Sequence, residues 1–159
     1  VNKGPFGVDG INQICIDEIL SLVHLKEENN YFHGMPIQIL RNNDKIELYN
    51  GDVGVIIKDE HNSFRAVFTS EKGLKTFTID TIPSFQPAYA TTIHKSQGSE
   101  YNHVLLVIPQ DAPEMLITKQ LLYTGISRAK TKCLIVATMH DFQKGLDNEI
   151  HRTTGIVIK

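Results

Sequence analysis

Cysteine is nearly absent from these 159 residues: Cys15 and Cys133 are the whole complement, and no C-x-x-C pair exists. That excludes a disulfide-stapled scaffold and a zinc or redox site built on paired thiols. The compartment expected for such a chain is the cytosol, where both thiols stay reduced. Apolar stretches are short. The densest is residues 104–108, far below the roughly 18 residues that span a bilayer, so no membrane contact is expected. The first residues lack the basic segment and apolar run of a secretory signal. No H-E-x-x-H occurs and the seven histidines are scattered, so no metal site is assigned. A basic excess is also missing: 16 Lys and Arg stand against 18 Asp and Glu, a net charge of −2, unlike a free nucleic-acid binder.

What is present is ordinary for a globular chain. Apolar residues make up 41% and charged residues 21%, which excludes collagen-like, mucin-like and largely disordered readings. The length suits one domain, or one domain with a small insertion. The chain opens on Val1, not Met, and is expected to be a piece of a longer protein. Charge is unevenly spread. Residues 1–35 carry two basic and five acidic side chains, net −3; residues 36–83 carry six and seven, net −1; residues 84–139 carry five and three, net +2. The local positive excess is either chance or a footprint of an anionic ligand.

The hydrophobic rhythm changes twice. Ile11, Ile14, Cys15, Ile19 and Leu22 recur at helical spacing. They predict a helix from an Asp9 N-cap to about Leu25, with an ordinary core stripe. Residues 36–40, 53–57, 64–69 and 75–79 are short β-like runs between polar turns, including Asn50-Gly51-Asp52. Four or five such strands in about 48 residues predict a small antiparallel barrel, too small to stand without a neighbour. An extended piece at 88–90 follows. Residues 103–108 and 133–137 then read as buried parallel strands. A helix over 117–130 separates them and another over 141–146 follows, which is α/β order.

Two segments bear the chemistry. One is Thr92-Ile93-His94-Lys95-Ser96-Gln97-Gly98-Ser99-Glu100 and the other Tyr123-Thr124-Gly125-Ile126-Ser127-Arg128-Ala129-Lys130. Each precedes an apolar strand. Hydroxyls, an imidazole, an ammonium and glycine there suit phosphate contact, although a Thr-, Ser- and Gly-rich stretch is also what a plain loop looks like. The phosphate-cradling G-x-x-x-x-G-K-[ST] is missing, since no Gly-Lys dipeptide occurs. Val55-Ile56-Ile57-Lys58-Asp59-Glu60 imitates a Walker B strand; without that cradle it reads as a hairpin turn.

The first segment resembles motif V of superfamily 1 helicases and the second their motif VI. The wording from Ala90 to Glu100, with Gly4-Pro5-Phe6-Gly7, Asn12 and Asn50-Gly51-Asp52-Val53-Gly54, is similar to the RecD-like branch, which contains the alpha subunit of exodeoxyribonuclease V. The resemblance implies a RecA-like α/β second motor domain, 2A, from residues 1–35 and 84–159, with a parallel sheet and an SH3-like barrel, 2B, inserted at 36–83. It implies a 5′–3′ ATP-dependent DNA helicase. The first motor domain would lie upstream and hold most of ATP and Mg²⁺, so the piece alone would not hydrolyse ATP.

The same resemblance assigns roles. Arg128 would be an arginine finger reaching ATP held by the missing domain, a task suited to a permanently charged fork. Gln97, Gly98 and Glu100 would line the nucleotide side, with Glu100 near the ribose and Gly98 clearing space. Thr92, His94 and Lys95 would hold single-stranded DNA by its phosphates, which tracks a strand without reading it. Thr124 would touch either ligand, and Tyr123 either packs or joins it. Arg41, Asn43 and Lys45 form either a DNA-touching loop or a solvated turn. Partners implied are single-stranded DNA, the upstream domain and other exodeoxyribonuclease V subunits. The rival readings are a Pif1-like or conjugative relaxase helicase, and a non-enzymatic single-strand-binding module, which has no use for the Arg128 fork.

Overall fold

The computed structural model describes residues 3–23, 31–110 and 112–149. The chain divides into two compact units: Val8–Thr91, and Thr92–Lys159 with Val1–Gly7.

Val8–Thr91 opens with helix α1 (Val8–Val23). The helix begins one residue before the expected cap, so Asp9 sits in its first turn, where a carboxylate suits the positive end of the helix dipole. The expected end near Leu25 lies outside the described residues. The buried face is also rotated from the predicted stripe. Val8, Asn12 and Ile16 are buried, with Ile19 and Leu20 packed alongside Ile16, whereas Ile14 and Leu22 are exposed. The reason is Asn12. Its side-chain oxygen accepts from the Ala90 N–H at 2.9 Å and its amide nitrogen donates to the Ala90 carbonyl at 3.4 Å. With its hydrogen bonds made, a polar side chain enters a core at little cost, and a purely apolar periodicity points to the wrong face.

Five strands follow: β1 (Met35–Ile39), β2 (Val53–Lys58), β3 (Phe64–Ser70), β4 (Gly73–Thr78) and β5 (Phe85–Pro87). They form one antiparallel sheet in the order β4-β3-β2-β1-β5. The first four agree with the predicted strands to within two residues. The fifth lies just before the extended piece expected at 88–90, of which Ala88 N–H still bonds the Pro36 carbonyl. Met35, Ile37, Ile39, Ile56, Ala66 and Phe68 alternate inward, as a sheet with one packed face requires. Ile16 of α1 joins the same core, supplying the neighbour that so small a sheet needs.

The Walker-like run ends in a hairpin. The Asp59 carboxylate accepts from the His61 and Ser63 N–H groups, both at 2.9 Å, and from Arg65 Nε at 3.1 Å. Arg41 makes no side-chain hydrogen bond or ion pair with the described residues, while Asn43 accepts from the Lys45 N–H within its own turn.

The second unit has the predicted alternation: β6 (Tyr101–Val107), α2 (Lys119–Ile126), β7 (Ala129–Val136) and α3 (Met139–Asp147). β6 and β7 pair in parallel, with Leu105 opposite Leu134 and Leu106 opposite Ile135. Thr118 caps α2 and Thr138 caps α3, each hydroxyl accepting from the N–H three residues on. These caps start the helices later and earlier, respectively, than apolar spacing suggested. The predicted helix to residue 130 stops at Ile126, because the Arg128 carbonyl takes the Tyr101 N–H at 2.9 Å and so enters the sheet.

The strands are parallel but not buried on both faces as expected. Leu106, Ile108 and Cys133 pack with Leu122 of α2 and Phe142 of α3. Leu105, Leu134 and Val136 are 61%, 52% and 52% exposed. Both helices join the cluster on one face, which leaves the other uncovered among the described residues.

The bonds to Asp59 hold its carboxyl below the ordinary value of 3.8, chiefly through the Ser63 N–H and then Arg65. A lowered folded pKa stabilises fully above the unfolded value and is lost as pH falls through the folded one. Asp59→Asn is therefore expected to lower the urea midpoint at pH 7 and to lose that deficit well below pH 3.8. The check is urea unfolding at both pH values; an equal deficit at both contradicts it.

Candidate functional site

Residues 92–100 form a run of tight turns held by its own polar groups. Ser96 is buried; its hydroxyl donates to the Ile93 carbonyl at 2.8 Å and its N–H to the Thr92 carbonyl at 3.1 Å. The Thr92 hydroxyl accepts from the Lys95 N–H at 3.4 Å. Ser99 N–H then bonds the Ser96 carbonyl at 3.1 Å, closing a turn whose third residue, Gly98, has φ +87°. Around this scaffold His94, Lys95 and Gln97 are exposed, and their side chains make no hydrogen bond or ion pair with described residues.

The second segment meets this loop from the end of α2. Gly125 lets the helix approach closely: a Cβ there would lie 3.1 Å from Leu106 and 3.2 Å from Ile93 of the loop. Ser127 ends the helix, and Arg128 turns back over it. The Arg128 Nε donates to the Thr124 carbonyl at 3.3 Å, Nη1 to the Ser99 carbonyl at 3.2 Å, and Nη2 to the Ser127 hydroxyl at 3.4 Å. Beside it Lys130 pairs with Glu100 at 3.2 Å.

The structure thus brings Glu100 and Arg128 to one junction. The Thr124 hydroxyl donates at 2.7 Å to the Gln120 carbonyl of its own helix, and Tyr123 is exposed rather than packed. Sequence reasoning missed the Ser99 carbonyl and the Lys130 partner. A backbone acceptor leaves no trace in residue identity, whereas Lys130 stood inside the quoted motif without a role.

Arg128 forms no ion pair with a described residue. All three of its partners are neutral, so its positive charge is oriented but not neutralised. A guanidinium has five N–H donors; with three engaged, one remains on each terminal nitrogen. That is a fork able to take two oxygens of an anion. Among the described residues no group of three or more His, Cys, Asp or Glu stands together to hold a metal, and no helix is long and apolar enough to cross a membrane.

Residues 87–136, which include both segments, match the family of the UvrD-like helicase C-terminal domain. That stretch, about a third of the chain, is similar to a helicase C-terminal region. Along nearly its whole length the chain is similar to the RecBCD enzyme subunit RecD of Haemophilus influenzae, 30% identical over 159 residues, 98% of this chain and 23% of that protein. The RecD subunit of Mycolicibacterium smegmatis is 30% identical over 154 residues, 97% and 27%. The chain is similar to these RecD subunits along nearly its whole length and spans about a quarter of theirs. Among solved structures, Bacteroides Pif1 bound to single-stranded DNA is 20% identical, covering 70% of this chain and 30% of that one, with a TM-score of 0.46.

The Glu100–Lys130 pair lies at the surface, its side chains 60% and 55% exposed. Such pairs contribute about 0–1 kcal/mol. Glu100→Gln is expected to leave the denaturation midpoint nearly unchanged, so that any role of Glu100 registers in ligand binding alone. A large loss of stability on chemical denaturation would show the pair to be structural.

Proposed function

We propose that this chain supplies the second motor lobe of an ATP-dependent 5′–3′ DNA helicase, with Arg128 as the arginine finger for ATP held by an upstream lobe. The observation that carries the reading is the un-neutralised guanidinium. Three neutral acceptors fix its direction and leave one N–H on each terminal nitrogen for phosphate oxygens. Gln97 and Glu100 line the nucleotide side of the same junction, and Gly98 shapes the turn between them. His94 and Lys95 meet the phosphates of single-stranded DNA, with Thr92 and Thr124 shaping that surface through hydroxyls used partly inside the loop and helix. The antiparallel sheet is the inserted SH3-like barrel, and β6-α2-β7-α3 is part of the RecA-like lobe.

The work is a two-lobe clamp. Nucleotide binding closes the cleft, Arg128 steadies charge on the transferred phosphoryl group, and hydrolysis reopens the cleft so that grip on the strand alternates. The described residues contain no cluster of metal ligands. The Mg²⁺ that accompanies ATP would be held mainly by the upstream lobe. In the cell the reading places the protein in the cytoplasm, on single-stranded DNA, alone or beside other exodeoxyribonuclease V subunits.

Two measurements on the full-length helicase test it. Arg128→Ala is expected to cut DNA-stimulated ATP turnover, up to the about 10³–10⁵-fold that such a residue supplies, with strand affinity largely retained. Equal loss of both would count against the finger role. His94→Ala with Lys95→Ala is expected to weaken single-strand binding and to flatten its logarithmic salt dependence by about 0.7 per lost phosphate contact. An unchanged slope removes the loop from the strand.

A further inference from the structure

We infer that Gly98 is a positioning residue for Arg128: its left-handed backbone aims the Ser99 carbonyl at the guanidinium. The inference rests on the arginine-finger reading and adds what sets the finger's direction.

The geometry starts from Ser96. Its buried side chain and its N–H tie it to the Ile93 and Thr92 carbonyls, so the first residue of the turn is anchored. The Ser96 carbonyl accepts the Ser99 N–H at 3.1 Å, which makes residues 96–99 a hydrogen-bonded β-turn with Gly98 third. A turn with φ > 0 at its third residue favours Gly, and after Gly it favours Asn. Gly98, at φ +87°, satisfies this demand. Crowding by the described residues does not explain the glycine, because a Cβ built there meets none of them within 4 Å. What the turn delivers is the next peptide group. The Ser99 carbonyl accepts from Arg128 Nη1 at 3.2 Å, and two residues after Ser99 the Tyr101 N–H donates to the Arg128 carbonyl. Side chain and backbone of Arg128 are thus both referred to the segment that leaves this turn.

A non-Gly residue in the left-handed region strains the backbone unless, like Asn or Asp, it can bond locally. Alanine at 98 would pull the turn toward φ < 0 and swing the Ser99 carbonyl off Nη1, whereas asparagine keeps the turn although it is the larger side chain. The alternative role, glycine as clearance for bound nucleotide, predicts the opposite order.

The experiment is steady-state, DNA-stimulated ATP hydrolysis by the full-length helicase with Gly98→Ala, Gly98→Asn, Arg128→Ala and the double variant Gly98→Ala/Arg128→Ala. Gly98→Ala is expected to lower kcat about tenfold with KM for ATP little changed, and Gly98→Asn to recover most of it. The double variant is expected to be no slower than Arg128→Ala, because residues acting through one group are not additive. Asparagine as poor as alanine, or a further loss in the double variant, overturns the inference. If Gly98→Ala does not fold, Gly98→Asn decides alone: near-normal kcat supports the backbone role, and a tenfold fall overturns it. If Arg128→Ala leaves turnover unchanged, the finger reading falls and takes this inference with it. Full dependence on Arg128 with the wrong Gly98 pattern removes only the latter.

Discussion

A permanent positive charge gripped by neutral oxygens is the constraint around which the second unit is arranged. Arg128 donates to the carbonyls of Thr124 and Ser99 and to the Ser127 hydroxyl, and none of these cancels its charge. An ion pair would have fixed the side chain equally well and left no electrostatic pull for an incoming anion. Holding the fork by carbonyls requires the end of α2, the loop 92–100 and the start of β6 to converge. Each convergence has a local cause: Gly125 admits Ile93 and Leu106, Ser96 anchors the loop, and the Arg128 carbonyl joins the Tyr101 N–H. The adjacent Glu100–Lys130 pair is exposed and adds little stability.

Much of the fold was legible in the sequence because its elements are locally determined. The β-branched and aromatic runs at 53–57 and 64–69 became β2 and β3, and the apolar runs at 103–108 and 133–137 became a parallel pair. Where the reading failed, a polar group was decisive. Asn12 rotated the buried face of α1 by spending its amide on Ala90. Thr118 and Thr138 moved the starts of α2 and α3. Arg128 left its helix because its backbone had a partner in the sheet. Hydrophobic periodicity carries none of this, since it counts polar residues as exposed.

The candidate site was legible as a set of residues but not as a mechanism. The two motifs named Arg128, Glu100, Gln97, Gly98, Thr92, His94, Lys95 and Thr124. They could not show that Arg128 reaches across to the Ser99 carbonyl, or that the Thr124 hydroxyl is turned back on its own helix. The match to the UvrD-like helicase C-terminal domain over 87–136 and the likeness to RecD subunits say what the chain resembles. They do not supply these contacts, which come from the turn and cap geometry of this chain.

The most direct measurement of the central claim is a structure of the full-length protein with ADP, aluminium fluoride and single-stranded DNA. The account predicts the terminal nitrogens of Arg128 at hydrogen-bond distance from the fluoride, with Nη1 still on the Ser99 carbonyl. A guanidinium paired with a carboxylate, or turned to solvent while the nucleotide pocket is closed, would contradict it.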